Sequence, residues 1–481
     1  MALSAVNLTT LDGGLAVVKP SSAGISAKVG SCTGGTANTI YTFQGTDTQD
    51  VIDTLTKGPL VDAVCHHLIQ SGGKTVRVVK ATTSTAGTNS AVTASGGGPT
   101  VTLTGTPDDD YECIVLIVLG GAVATATFKF TLDGGDTYSE VVTTAATYAL
   151  GNGVTLNFAA GTYVAAETYT FTGTGPKMTS ANVQTALDVL IDSPLSWEFV
   201  HICGIPADAA TMETIGTAVQ SKMAAALAAH RYCFAVTESP PVSASSLATV
   251  ASDFVAERVM IAGGFCELVN DVSGRVDKRN VGRCIAARIA RVPISVSLSR
   301  NPGDTDLEAV PGVSSLVPDG DDGSTGYTDS ASDSTLHDAR FTTLRHWDQV
   351  AGYFVSDGLM MTAVTSDYHR VQNRRVMDRA CEVTYLRALR YVQKKLRIDT
   401  STGFIAETQA LAIEADLTSA LITALVASGH ASGARALVNR ADSLLSDPTL
   451  RIKVRVVPFG YANEIEVEIG FATTLNTPAA A

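Results

Sequence analysis

The chain has 481 residues, 34 basic against 47 acidic side chains, a formal net charge of −13 and only 17% charged residues. That length predicts two or three domains, each with its own core, and the acidic balance argues against general nucleic-acid binding. The eight cysteines (Cys32, Cys65, Cys113, Cys203, Cys233, Cys266, Cys284 and Cys381) are scattered without a C-x-x-C, which argues against a disulfide framework or zinc site and for a reduced protein.

In chain order, residues 1–24 read as an extended arm: Val6, Leu8, Leu15 and Val17 are apolar, Asp12-Gly13-Gly14 is a turn and Pro20 closes it. Such an arm needs a sheet to join. It shows neither the basic start nor the long apolar run of a signal peptide. No uninterrupted apolar run is long enough to span a bilayer. From residue 25 an α/β pattern begins: a strand at 25–29, a glycine- and threonine-rich loop, helical spacing through Val51, Ile52 and Leu55 and again through Leu60, Val61, Val64 and Leu68, and a strand at 75–79.

Between 82 and 175 helical spacing disappears. Short Thr/Val/Tyr/Phe strands (101–104, 111–119, 124–132, 138–144, 154–158, 168–172) alternate with turns, of which Asp133-Gly134-Gly135-Asp136 is the clearest. This predicts an all-β sandwich inserted between α/β elements. The α/β rhythm then resumes, with helices predicted at 181–191, 207–230, 244–256 and 281–289 and strands at 198–203, 232–236, 258–262 and 294–298. Alternation of this kind predicts a mostly parallel, helix-covered sheet. A polar loop fills 300–340; strands at 341–344 and 352–355 and helices at 366–396 and 406–427 follow.

Two period-two segments end the chain. Ile452, Val454 and Val456 alternate with Arg451, Lys453 and Arg455, whereas Ile465, Val467 and Ile469 alternate with Glu464, Glu466 and Glu468. One outer face is basic and the other acidic, so the two strands are written to pair with each other or with their complements in another copy. The fold class is therefore α/β: a core of 25–81 and 176–340, the inserted sandwich of 82–175, and a C-terminal helix-plus-strand domain of 341–481 with terminal arms that exchange.

No constellation carries chemistry. Gly73-Lys74-Thr75 lacks the glycine of a phosphate loop, since Leu68 stands in its place, and it follows a helix where the motif precedes one. Asp319, Asp321 and Asp322 lack the closing glutamate of a calcium loop. His66 and His67 diverge by about 100° on a helix, and His201 sits in an apolar strand as a core histidine. Gly312-Val313-Ser314-Ser315 fails as a nucleophile elbow at Leu316. No catalytic, cofactor or metal residue is assigned.

The long helix is the strongest charge feature. Arg370, Arg374, Arg375, Arg379, Arg387, Arg390, Lys394, Lys395 and Arg397 stand against Asp378 and Glu382 alone. Arg375, Arg379, Glu382, Arg390, Lys394 and Arg397 fall on one face, either a solvated face or a docking surface for an acidic partner.

Several segments, in order, resemble contractile phage tail sheath proteins, including those of phage-like injection particles. They are Asp12-Gly13-Gly14-Leu15, Lys28-Val29-Gly30, Gly34-Gly35-Thr36-Ala37-Asn38-Thr39-Ile40-Tyr41, Gly58-Pro59-Leu60-Val61, Phe130-Thr131-Leu132-Asp133-Gly134-Gly135-Asp136-Thr137, Phe158-Ala159-Ala160-Gly161-Thr162-Tyr163 and Asp367-Tyr368-His369-Arg370-Val371-Gln372-Asn373-Arg374-Arg375. Where sheaths commonly carry Gly-Ala-Arg-Thr, this chain has Asp357-Gly358-Leu359-Met360. The resemblance implies a non-enzymatic virion structural protein without cofactors. It would polymerise helically around a tail tube, contract on a baseplate signal for genome ejection, and sit in the virion tail after assembly in the bacterial cytoplasm. Its implied partners are other copies, the tube protein, and baseplate and tail-end proteins, with no direct nucleic-acid contact and no membrane insertion. Arm exchange by β-augmentation assigns Val6, Leu8, Leu15, Val17, Ile452, Val454, Val456, Ile465, Val467 and Ile469 to inter-subunit strands. Arg375, Arg379, Arg390, Lys394 and Arg397 are expected to face the tube. The rivals are an α/β enzyme with an accessory sandwich, for which His201 and Asp271 are the best residues available, and a surface adhesin or array protein.

Overall fold

The computed structural model describes residues 22–317, 335–467 and 469–471. Val6, Leu8, Leu15 and Val17 of the arm, and Asp319, Asp321 and Asp322, lie outside the described residues. The chain divides into two compact units, Met1–Leu389 and Arg390–Ala481.

The first unit is built on a six-stranded sheet. In chain order its elements are β1 (Ser26–Gly30), β2 (Ile40–Phe43), α1 (Gln49–Leu55), α2 (Pro59–Gln70), β3 (Val76–Lys80), α3 (Ser180–Asp192), β4 (Phe199–Cys203), α4 (Ala209–Ala228), β5 (Phe234–Glu238), α5 (Ala244–Ala251) and β6 (Val259–Ala262). The strand order is β6-β5-β4-β1-β3-β2, parallel throughout except for the antiparallel edge strand β2. Ser26 lies opposite both Phe199 and Val76, so β1 is central. Every residue of β1, β4, β5 and β6 is buried, as expected of parallel strands covered on both faces. The helices start on sequence-encoded caps: Thr179 and Asn182 form a reciprocal capping box on α3, and Asp208 accepts from Thr211 N–H on α4. Gly58 before α2 has φ +123°, and a Cβ there would stand 3.1 Å from Cys32 Cα, so this turn requires glycine.

The segment between β3 and α3 forms antiparallel sheets of its own. Tyr111–Leu119 pairs with Thr127–Thr131 and Thr168–Thr174, while Val154–Phe158 pairs with Val101–Gly105 and Thr147–Ala149. Their inner faces share a separate core that includes Val115, Ile117, Phe128, Leu156, Tyr163 and Tyr169. Polar ties join this insert to the α/β core. Arg279 donates to Asp109 Oδ1 at 3.0 Å and also pairs with Asp62 and Asp277. Lys177 pairs with Asp110 at 3.2 Å.

Several sequence expectations are corrected here. Residues 294–298 form no strand; Val296 N–H bonds back to Pro293 O, and Arg300 N–H to Ser297 O, so the alternation of Ile294, Val296 and Leu298 with serines serves a buried turn. A three-stranded antiparallel sheet instead joins β7 (Phe265–Val269), β8 (Val276–Asn280) and, beyond α6 (Gly282–Arg291), β9 (Val313–Val317) inside the expected polar loop. The boundary expected at 340/341 is also displaced. Thr342 N–H bonds Ile261 O, Met361 N–H bonds Val259 O, and Phe341, Leu344, Val355, Met360, Met361 and Val371 belong to the sheet's own hydrophobic core. Residues 341–389 thus complete the first unit, with the hairpin β10 (Leu344–Trp347) and β11 (Val350–Val355) followed by α7 (Val371–Ala388). The expected helix of 366–396 stops at a 3₁₀ turn, Leu389–Tyr391.

The second unit holds α8 (Glu407–Leu421), extended by a π turn at Ile422–Val426, packed on the two-stranded antiparallel sheet of β12 (Gly433–Val438) and β13 (Ile452–Val457). Ala410, Ile413, Leu417, Ala436 and Val438 form its core. The helix spanning Glu407–Val426 is long and apolar enough, by length and composition, to cross a membrane. In this fold it buries Leu421 and Leu425 as well. β13 realises the first of the two period-two terminal segments. Its partner is β12, not the segment 463–469, which forms no strand among the described residues.

Candidate functional site

The enzyme reading needs His201 and Asp271 to converge, and they do not. His201 is fully buried, its Nε2 3.0 Å from Glu238 Oε1 and its Nδ1 3.1 Å from Lys28 Nζ. With Nε2–H donating to the carboxylate, Nδ1 is left to accept from Lys28. Burial depresses the pKa of both His201 and Lys28, so the interior holds them towards their neutral forms. Asp271 instead meets His66 Nδ1 at 2.9 Å, while His67 Nε2 lies 3.0 Å from Ser26 Oγ. Among the described residues no group of three His, Cys, Asp or Glu is placed to hold a metal ion.

The basic face expected on the long helix is divided by the fold. Arg375 is 2% exposed: its guanidinium grips Glu198 (Nε–Oε1 2.6 Å, Nη2–Oε2 3.2 Å) and reaches Val292 O and Pro293 O. It locks α7 to the start of β4 and is no part of a surface, which corrects its assignment to a tube-facing set. Asp378 is also consumed internally, by Arg258 at 3.0 Å, and Arg374 lies 4.0 Å over the Tyr368 ring. Arg379 is half-buried and paired with Glu382 at 2.7 Å. Arg390, in the 3₁₀ turn, and Lys394, Lys395 and Arg397, on the non-helical stretch that follows it, belong to the other unit and are exposed. Periodicity alone could not separate these two groups. The partner of Arg375 lies 177 residues away in sequence.

The second unit carries an open surface. Along β13, Ile452, Val454 and Val456 are half-buried towards α8, and Lys453 and Arg455 are exposed. Arg435 of β12, which the sequence reading did not find because Gly433-Ala434-Arg435-Ala436 carries little strand signal, stands directly opposite Arg455. Beyond β13 the chain presents bare apolar side chains: Ile465, Val467 and Ile469 are 77%, 71% and 90% exposed, and Phe471 is fully exposed. A short sheet with open backbone, followed by an alternating segment that forms no strand among the described residues, is suited to strand addition.

Solved structures share this fold. A chain of the anti-feeding prophage helical sheath in its contracted state is 12% identical, covers 98% of this chain and 100% of its own length, and superposes with TM-score 0.54. A chain of the contracted baseplate of the same particle is 11% identical, covers 99% and 98%, and gives TM-score 0.54. A sheath tail protein from Listeria innocua is 13% identical over 92% of this chain and 96% of its own, with TM-score 0.46. No curated protein sequence matches the chain. The sequence itself matches the DUF2586 N-terminal domain over residues 3–359 and the DUF2586 C-terminal domain over residues 367–476. The junction between the two matches falls just before α7, the helix that closes the first unit, and together they take in nearly the whole chain: it belongs to the DUF2586 family.

Proposed function

We propose that this DUF2586 chain is the structural subunit of a contractile tail sheath, polymerising helically around a tube and contracting to drive it through a cell envelope. The observation that carries this reading is the end-to-end likeness to the anti-feeding prophage sheath chain, at TM-score 0.54 over 98% of this chain. The open strand surface of the second unit supports it, because a head-to-tail interface propagates as a helix where it does not close. In this reading the partners are other copies, a tube protein and baseplate proteins; the place of action is the particle tail; and the work lies in changing interfaces, with no bond made or broken. The arms at 1–24 and 463–481 add strands to neighbours. Concentrated purified protein imaged in negative stain should show hollow striated cylinders. Discrete particles or flat lattices would contradict the proposal.

Contact with the tube is assigned to the exposed basic stretch of Arg390, Lys394 and Arg397, with Arg379 a lesser contributor because Glu382 already pairs with it. Lys394→Glu with Arg397→Glu should leave the thermal unfolding of the subunit unchanged, since neither side chain is buried. The same variant should fail to co-sediment with acidic tubes at low salt. Undiminished co-sedimentation would remove this stretch from the tube interface.

A further inference from the structure

The main sheet of the first unit places β2 and β3 on one side of β1 and β4, β5 and β6 on the other, so the strand order reverses between β1 and β4. In open parallel sheets a crevice forms at such a point, outside the carboxyl ends of the strands. Here it is a cavity of about 50 Å³. Gly204 after β4, Thr237 near the end of β5 and Arg283 in the first turn of α6 line it, and Asp109 and Asp110 border it from the insert.

The carboxylates around this cavity are already engaged. Glu238 Oε1 meets His201 Nε2 at 3.0 Å, and Oε2 accepts from Gly204 N–H at 3.0 Å. Asp110 accepts from Gly175 N–H at 2.7 Å and pairs with Lys177. Asp62 accepts from Asn270 Nδ2 at 2.8 Å, and it shares Arg279 with Asp109. Burial also pushes the carboxyls of Asp62 and Asp109 up, towards their neutral forms. Arg283 is the exception. It is 4% exposed, yet its Nε and Nη2 have no hydrogen-bond partner among the described residues. Thr237 is 3% exposed, and its Oγ1 has none either. A buried donor without a partner is costly, above all on a charged group, so both side chains call for an occupant.

Nε–H and one N–H of Nη2 lie along one edge of a guanidinium, and that edge matches the two oxygens of a carboxylate. Arg375 shows the fit within this chain, since its Nε and Nη2 grip the two oxygens of Glu198. The same edge of Arg283 is unfilled among the described residues. Arg283 is also the second residue of α6, whose first turn holds no acidic side chain, so the positive end of that helix adds to the attraction for an anion. A water needs roughly 10–15 Å³ of such space, so the cavity takes a group of a few heavy atoms and neither a nucleotide nor a peptide. We propose that it binds a small free carboxylate, held side-on by Nε and Nη2 of Arg283 and by the hydroxyl of Thr237. Because the site exists only in the folded chain, occupancy stabilises the fold where core and insert meet.

Acetate is the probe. At neutral pH and matched ionic strength, the full-length chain should melt at a higher temperature in sodium acetate than in sodium chloride, and the difference should grow with acetate concentration. Isotope-labelled acetate followed by NMR should bind the unmodified chain saturably. Thr237→Val, which removes one hydrogen bond at nearly constant volume, should weaken that binding roughly threefold to tenfold. Arg283→Gln should abolish it, and Arg283→Lys, which keeps the charge but loses the two-pronged edge, should not restore it. Equal melting in the two salts together with no saturable acetate binding means that the cavity holds water only, and overturns the proposal. Saturable binding that Thr237→Val and Arg283→Lys both leave unchanged puts the acetate elsewhere and overturns it equally. Should the Arg283 variants fail to fold, acetate binding to the unmodified chain and to Thr237→Val decides.

Discussion

Removal of residues 463–481 should leave a folded subunit that sediments as a monomer and forms no cylinders. The fold is spared because, among the described residues of the segment, Ile465, Val467 and Ile469 are largely exposed, and β13 ends at Val457 with its hydrogen bonds directed to β12. In the proposed sheath, assembly is lost because the segment is the strand that a neighbour's sheet receives. Isolated two-stranded sheets are marginal in water, and in the polymer a third strand would relieve that. Circular dichroism and thermal unfolding of the truncated chain should match those of the full chain, while sedimentation should change from polymer to single subunit. Cylinders of ordinary length from the truncated chain would show that 463–481 is dispensable.

Arg375→Gln should have the opposite character, lowering stability first and assembly only as a consequence. The Arg375–Glu198 pair is almost wholly buried, with side chains 1% and 8% exposed. Removing one partner leaves a buried charge uncompensated, which is worth about 3–5 kcal/mol. The guanidinium also serves Val292 O and Pro293 O, so Arg375→Lys should recover only part of the loss. Replacing both partners, Glu198→Met with Arg375→Met, should recover part of it, because no unpaired charge remains while Val292 O, Pro293 O and Gly24 N–H lose these partners. The measurement is the urea midpoint of each variant against the parent. An unchanged midpoint for Arg375→Gln would mean that the pair does not hold α7 to β4.

These contrasting residues show what could be read before the structure. The apolar runs Phe234-Ala235-Val236 of β5 and Val259-Met260-Ile261-Ala262 of β6 announce parallel strands because both faces are buried, and the change to Thr/Val/Tyr alternation after β3 announces a different kind of sheet. β8, with the sequence Val276-Asp277-Lys278-Arg279-Asn280, was not legible, because its charged side chains are held by partners distant in sequence such as Asp62 and Asp109. β12 was not legible either, since half of Gly433–Val438 is glycine or alanine, and its place depends on Glu414 and Thr418 of the preceding helix. The alternation of β13 was legible, its partner was not: β13 pairs with β12, which Thr418 and Glu414 of the preceding helix hold in place. For the basic residues near α7, sequence spacing put Arg375 with Arg390, Lys394 and Arg397. Burial separates them, since a charge within reach of Glu198 is drawn inward and those beyond Leu389 stay in water.

The most direct test of the strand-exchanged sheath is a helical reconstruction by electron cryomicroscopy of the assembled full-length chain. The expected result is a hollow cylinder in which residues 463–469 of one subunit form a third strand beside Ile452–Val457 of another. Closed rings or single particles, with that segment folded back along β13 of its own subunit, would contradict it.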